Sequence, residues 1–166
     1  MAYECEYNSD GEPIEQSAPV KLAFHVEYIA NNAIKLLDEL IALEKATFKK
    51  GDSWADGDLA DHLKKRNIVL AVARLQADGK LCGYVLCTST GVNIHVAKVA
   101  VREDCRRQGM ARRMMEAVLQ AAATVRRALS STLYVAVENT PAVELYKWVD
   151  ERVWVVGSGL WARFVD

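Results

Sequence analysis

No run of about 18 consecutive apolar residues occurs in the chain, so no segment reads as a membrane-spanning helix. Proline is scarce, with three residues, and glycine supplies only nine of 166, which excludes collagen-like and low-complexity architectures. The four cysteines (Cys5, Cys82, Cys87 and Cys105) form no CxxC pair and have no histidine at metal-ligand spacing. They read as free thiols of a reducing cytosol or nucleus, and no metal site is expected. The first residues, MAYECEYNSDGEPIEQSAP, lack the apolar core of a secretory signal.

The chain has instead the make-up of an ordinary globular domain, with 51% apolar and 26% charged residues. A chain of this length buries roughly 70% of its unfolded surface and needs no staple. Charge is nearly balanced, at 21 Lys+Arg against 22 Asp+Glu, but it is unevenly placed. Glu4, Glu6, Asp10, Glu12 and Glu15 precede the first base, so residues 1–18 read as a flexible acidic tail ahead of one domain over 19–166. The remaining small basic excess is too weak to imply a nucleic-acid partner.

Hydrophobic periodicity divides the domain into elements. Val20–Ala30 suits a first strand, and Ala33–Lys49 changes to helical spacing, with Ile34, Leu37, Ile41, Glu44 and Phe48 on one stripe. A carboxylate on that stripe is unusual. Gly51-Asp52-Ser53 ends the helix, and Trp54, Leu59 and Leu63 mark a shorter one. Asn67–Leu75 and Leu81–Thr88 read as strands joined by Ala77-Asp78-Gly79-Lys80, a hairpin turn with glycine where positive φ is needed.

Val92–Val101 is the next strand, and its apolar phase slips between Val96 and Val99. Either a bulge near Ala97 or a central strand buried on both faces explains the slip. An amphipathic helix follows Gly109, with Met110, Met114, Val118, Ala121, Ala122 and Val125 as its buried stripe. Leu133–Val137 reads as a strand, Pro141 begins a helix running through Trp148, and Arg152–Val156 and Leu160–Val165 form a hairpin over Gly157-Ser158-Gly159. The fold class is mixed α/β, of the α+β kind, with early antiparallel hairpins and one βα crossover.

The segment VAVREDCRRQGMARRMM (99–115) carries the most chemistry. A strand runs into a glycine-bearing loop and a helix begins, so consecutive backbone N–H groups aim at one place, reinforced by the helix dipole. Arg106, Arg107, Arg112 and Arg113 add fixed charge. The pattern suits a pyrophosphate cradle; the plainer alternative is a helix start with solvated arginines. It lacks both the GKS/T of a P-loop and the three glycines of a dinucleotide fingerprint. A nucleotide phosphotransferase would also need a metal-binding carboxylate and a phosphate-facing lysine at the loop, and neither is evident.

Arg106-Arg107-Gln108-Gly109-Met110-Ala111 resembles the R/Q-x-x-G-x-G/A signature of the GNAT superfamily of acyl-CoA N-acyltransferases. Asn139-Thr140-Pro141-Ala142-Val143-Glu144-Leu145-Tyr146 resembles the family's N-x-x-A-x-x-L-Y segment after the fifth core strand. Leu43-Glu44-Lys45-Ala46-Thr47-Phe48 is similar to the first helix of the ribosomal-protein and N-terminal acetyltransferase branch. The resemblance implies a mostly antiparallel sheet splayed at its fourth and fifth strands, with flanking helices. It also implies acetyl-CoA as acyl donor, without a metal, and an amine acceptor, with a protein or peptide amine suggested by the third block.

By the same resemblance, Arg106 through Arg112 hold the coenzyme diphosphate. Val99 and Val101 present backbone groups to the pantetheine arm, although their side chains read simply as core. Asn139 binds pantetheine or caps its helix. Tyr146 is the acid for the departing thiolate, or else a tyrosine packed in the core. His95, fourteen residues before Gly109, stands where several relatives carry a glutamate base, and a histidine there titrates near neutrality. Tyr134, five before Asn139, replaces the Glu or His of relatives and can bridge a water. Glu44 is a third candidate for holding or deprotonating the amine, unless it is paired with a basic neighbour. Trp148-Val149-Asp150 replaces the family's G-F, which weakens any inference about substrate contacts from the last hairpin. A small-amine or polyamine acetyltransferase and a non-catalytic acyl-CoA-binding module remain the alternatives.

Overall fold

Three consecutive apolar strands and an amphipathic helix long enough to cross them dictate the framework. The computed structural model describes residues 21–29, 33–48, 53–135, 139–149, 154–156 and 159–163. The expected acidic tail, residues 136–137 of an expected strand and residues 157–158 of the last turn lie outside the described residues.

The elements run β1 (Phe24–Ile29), α1 (Leu37–Thr47), α2 (Asp56–Leu63), β2 (Ile68–Leu75), β3 (Leu81–Ser89), β4 (Asn93–Val101), α3 (Met110–Thr124), β5 (Ser130–Tyr134), α4 (Thr140–Val149), β6 (Trp154–Val156) and β7 (Gly159–Arg163). Short 3-10 turns over Ala33–Leu36 and Glu103–Cys105 lead into α1 and out of β4. The seven strands form one sheet in the order β1-β2-β3-β4-β5-β7-β6. β4 and β5 are parallel, with α3 as the crossover between them, and every other neighbouring pair is antiparallel. Among the described residues no helix is long and apolar enough to cross a membrane.

Both sheet faces are covered. The α3 stripe (Met110, Met114, Met115, Val118, Ala122) packs with Val69, Val85, Ile94 and Val96 in one cluster, while α1 and α2 close the other face over Leu70, Val72, Tyr84 and Leu86. Apolar runs in β2 and β3 reflect this double burial, since neither face meets water.

The slipped phase of β4 has a local cause. Lys98 pairs with Leu86 and Val96 with Cys87, which leaves Ala97 unmatched. This bulge reverses the strand's facing: Ile94 and Val96 pack beneath α3, Ala97 and Ala100 lie with the α1 cluster, and Val99 and Val101 return to the α3 side. Of the two explanations drawn from the sequence the bulge holds; burial on both faces does not, since only Ile94, Val96 and Ala100 of β4 are buried.

Other boundaries moved. The helix expected from Ala33 is α-helical only from Leu37, and Val125, expected on the α3 stripe, is 66% exposed because the helix has ended at Thr124. β5 starts at Ser130 rather than Leu133. Its hydroxyl-rich start looked like loop, but Asn93 bridges it, donating to Thr132 Oγ1 at 3.2 Å and accepting from Ser130 Oγ at 3.0 Å. A polar strand start is thus satisfied inside the sheet.

Gly83 in β3 is hemmed in by β4 and α3. A Cβ there would meet the Ala100 carbonyl oxygen at 2.7 Å and Met114 Cε at 2.9 Å. Gly83→Ala is expected to destabilise the fold by about 1–3 kcal/mol, measured by the urea midpoint; an unshifted midpoint contradicts this packing.

Candidate active site

The parallel pair within the sheet is short. β5 lies beside β4 only from Asn93 to Val96, in register with Ser130 to Leu133. Beyond Val96, β4 continues along β3 as far as Val101, while β5 continues with β7. The two strands separate at the Ala97 bulge, and the outer half of β4 is left with no described strand on that side. α4 stands at the opening. Asn139 begins it: its Oδ1 accepts the Ala142 N–H at 3.4 Å and its carbonyl accepts those of Ala142 and Val143 at 3.0 Å, a helix cap of the kind asparagine favours.

The gap is a cleft of about 280 Å³ walled by residues 96–99 of β4, Tyr134 and Val135, Leu145 and Tyr146 of α4, and Phe48. A larger cavity of about 470 Å³ adjoins it at the start of α3, lined by Val101, the Arg106–Arg107 and Gly109–Arg112 stretches, and Glu144 and Leu145 of α4. Leu145 belongs to both walls, so the two spaces are neighbours along a groove between α4 and the outer half of β4, with that leucine between them.

At the α3 end of this groove, Arg107 and Gly109 both take left-handed backbone, with φ of 61° and 79°. The first bond of the helical ladder is Arg113 N–H to Gly109 O at 3.1 Å. The N–H groups of Gly109, Met110 and Ala111 precede it and give the groove a positively polarised end. Arg106 and Arg107 line the same end; Arg106 Nε donates to the Val101 carbonyl at 3.1 Å and so braces the loop against β4. Arg112 also lines it and pairs with Glu116 at 3.1 Å. Arg113 turns away, 5.9 Å from the Phe24 ring centroid. Gln108 is not in the lining; its Oε1 accepts the Leu22 N–H at 3.2 Å and ties the loop to the segment before β1. Phosphate oxygens fit this donor set: adjoining amides, arginines, and no carboxylate nearer than Glu144 in the described lining.

At the other end, Tyr146 is 8% exposed. Burial, and secondarily nearby Cys87, push its phenol up to about 12, so the hydroxyl stays protonated. Tyr134 is 69% exposed and lines the cleft. His95 is not in its lining but meets the Tyr134 ring at a tilt of 55°, centroids 5.3 Å apart, with Nδ1 3.0 Å from Thr132 Oγ1. Burial holds the imidazole below its ordinary value, favouring the neutral form.

Glu44 lies behind the wall, 1% exposed. Its carboxylate takes hydrogen bonds from the Tyr84 hydroxyl, Trp54 N–H at 3.0 Å, Ser53 hydroxyl at 3.3 Å and Lys98 ammonium at 2.8 Å. Lys98 was not picked out from the sequence, although a lone cation in the apolar strand VNIHVAKVAV and the odd carboxylate on the α1 stripe were each visible. The ammonium also sits 4.1 Å from the Phe48 ring centroid and 5.6 Å from that of Trp54.

A family model described as "Acetyltransferase (GNAT) family" matches residues 35–149. The chain belongs to that family. It is an N-acetyltransferase, a transferase whose acyl donor is acetyl-CoA. Among curated proteins no sequence match is found. Similar solved structures include the ribosomal-protein-S18-alanine N-acetyltransferase from Escherichia coli, at TM-score 0.65 and 17% identity, covering 75% of this chain and 76% of that one. Arabidopsis thaliana NAA60 in complex with a bisubstrate analogue matches at TM-score 0.66 and 16% identity, covering 86% of this chain and 100% of that one. The aminoglycoside acetyltransferase meta-AAC0020, from an uncultured soil metagenomic sample, matches at TM-score 0.64 and 22% identity, covering 76% and 87%.

Two outcomes test this geometry. Gly109→Val puts a β-branched residue at φ 79° and is expected to weaken acetyl-CoA binding, measured by calorimetry, at least tenfold given the roughly 1–2 kcal/mol cost of left-handed backbone plus its distortion of the amides. Glu44→Ala leaves Lys98 without its buried carboxylate and is expected to cost about 3–5 kcal/mol of stability; an unchanged melting temperature contradicts the pairing.

Proposed function

We propose that the chain acetylates the primary amine of a peptide or protein, at an N-terminus or a lysine, by direct attack of the amine on the thioester. The observation that carries this reading is the pair of neighbouring spaces with Leu145 common to both, the Gly109–Ala111 stretch lining one and Tyr146 the other. Amides and arginines at one end suit the diphosphate of acetyl-CoA. Residues 99–101 of β4 suit the extended pantetheine arm, and the separation of the strands leaves the opposite side of the cleft open to an acceptor.

In this reading, the amine nitrogen forms a bond to the acyl carbon and the C–S bond breaks as the adduct collapses. His95, kept neutral by burial, takes the amine proton through Tyr134 or a water held by it. Tyr146 offers its O–H to the departing sulfur. A phenol near 12 is a weaker acid than a thiol at about 8.5, so its main contribution is the hydrogen bond that steadies the sulfur as charge develops. Glu44, with four donors already on its oxygens, acts by fixing Lys98 rather than by taking a proton.

Thiol release in the presence of acetyl-CoA, with a peptide panel and small amines compared, tests the acceptor assignment. Tyr146→Phe is expected to lower kcat by about 10²–10³-fold with acetyl-CoA affinity unchanged. For the wild type, the His95 limb of the kcat/KM profile is expected at a midpoint under about 6.5, below the separate limb set by the acceptor amine, because a lowered imidazole pKa keeps the base neutral until more acidic pH. Turnover of small amines with none on any peptide contradicts the peptide assignment.

A further inference from the structure

The end of the sheet away from the groove is made by three turns, over residues 64–67, 90–92 and 125–129. Hydrogen bonds hold them together. The Arg126 guanidinium donates to the Arg66 carbonyl at 3.5 Å, and Ser89 N–H, at the edge of the second turn, donates to the Asn67 carbonyl at 2.7 Å. The N–H groups of Leu129 and Ser130 both donate to the Val92 carbonyl, at 2.7 and 3.2 Å. Three of the four exposed large apolar side chains among the described residues stand on these turns: Val92, Val125 and Leu129, at 63%, 66% and 64% exposure.

The same turns carry Lys65, Arg66 and Arg127, all exposed. None of the three has a carboxylate partner among the described residues, and the turns themselves contain no Asp or Glu. Lys64 adds little, being paired with Asp61 at 3.1 Å. Arg127 holds left-handed backbone, φ 54°, a conformation that glycine adopts at lower cost. This end of the molecule therefore presents aliphatic tips beside uncompensated cations.

That combination discriminates between polyanions. A nucleic-acid strand rewards aromatic stacking, which valine and leucine cannot supply. An acidic peptide is held by a groove, whereas these side chains protrude. A lipid surface uses both features: long basic side chains reach anionic headgroups, while aliphatic tips leave water for the acyl boundary. We infer that this end docks the protein reversibly on an anionic lipid surface, with Val92, Val125 and Leu129 dipping in and Lys65, Arg66 and Arg127 on the headgroups. The α3 start and the cleft lie toward the far end of β4, a nine-residue strand of about 27 Å, so the docked protein keeps its groove open to solvent. The inference does not depend on which amine is acetylated.

Flotation of the full chain with vesicles tests it, comparing phosphatidylcholine alone with phosphatidylcholine containing about 30% phosphatidylserine, at about 0.1 M salt. The wild type is expected to bind the anionic vesicles about tenfold or more tightly than the neutral ones, each exposed cation contributing about fivefold. Lys65→Gln/Arg66→Gln/Arg127→Gln is expected to remove that preference. Val92→Ser/Leu129→Ser keeps every charge and is expected to weaken binding to the anionic vesicles by about tenfold. Both variants are expected to retain calorimetric affinity for acetyl-CoA, which shows that they fold. A wild type that floats no better with phosphatidylserine than without it overturns the proposal. So does a serine variant that binds as tightly as the wild type, because attraction then needs charge alone. Retention of poly(U) or polyglutamate by a wild type that ignores both vesicles also overturns it, in favour of a different polyanion.

Discussion

The site depends on the early parting of β4 and β5. A parallel pair held by its ladder along its full length would leave no room for a ligand between the strands. Here the ladder stops at Val96–Leu133, where Ala97 bulges out of register with β3. The bulge redirects the outer half of β4, and α4 stands beside the opening. One irregular residue thus relates the hydrophobic core to the groove: it carries Val99 and Val101 back to the α3 side and leaves Lys98 on the α1 side.

The two faces of the sheet consequently take different parts. On the α3 side, apolar packing sets the helix start that supplies amides and arginines to the groove. On the α1 side, the core includes a buried ion pair with a phenol, a serine and a backbone amide gathered on the same carboxylate. Such a pair adds little net stability over an apolar equivalent, yet is costly to break on one side only. Its consequence is positional, since it holds one ammonium against two aromatic rings at the wall where the strands divide.

Much of the framework was legible because its signals are local. Alternation marks the strands, the Gly79 turn closes a hairpin with φ 70°, and the slipped phase of β4 indicates its own bulge. The Arg106–Ala111 and Asn139–Tyr146 segments are short, contiguous patterns, and the fold brings both to one groove. What was not legible depends on contacts between distant residues. Glu44 and Lys98 are 54 residues apart, so each stood out as an oddity but their pairing could not be read. The polar start of β5 is satisfied by Asn93 on a neighbouring strand, 37 residues away from Ser130, and composition alone assigns such residues to a loop. His95 shows the same limit: its position in the chain suggested the cleft, whereas the β4–β5 register sets it opposite Thr132, with its ring against Tyr134 and outside the cleft lining.

A crystal structure with coenzyme A bound tests the central claim most directly. The account predicts diphosphate oxygens on the N–H groups of Gly109, Met110 and Ala111, the pantetheine arm along residues 99–101 of β4, and the sulfur beside the Tyr146 hydroxyl. A coenzyme whose diphosphate occupies that helix start while its sulfur lies away from Tyr146, or one bound outside the groove altogether, contradicts it.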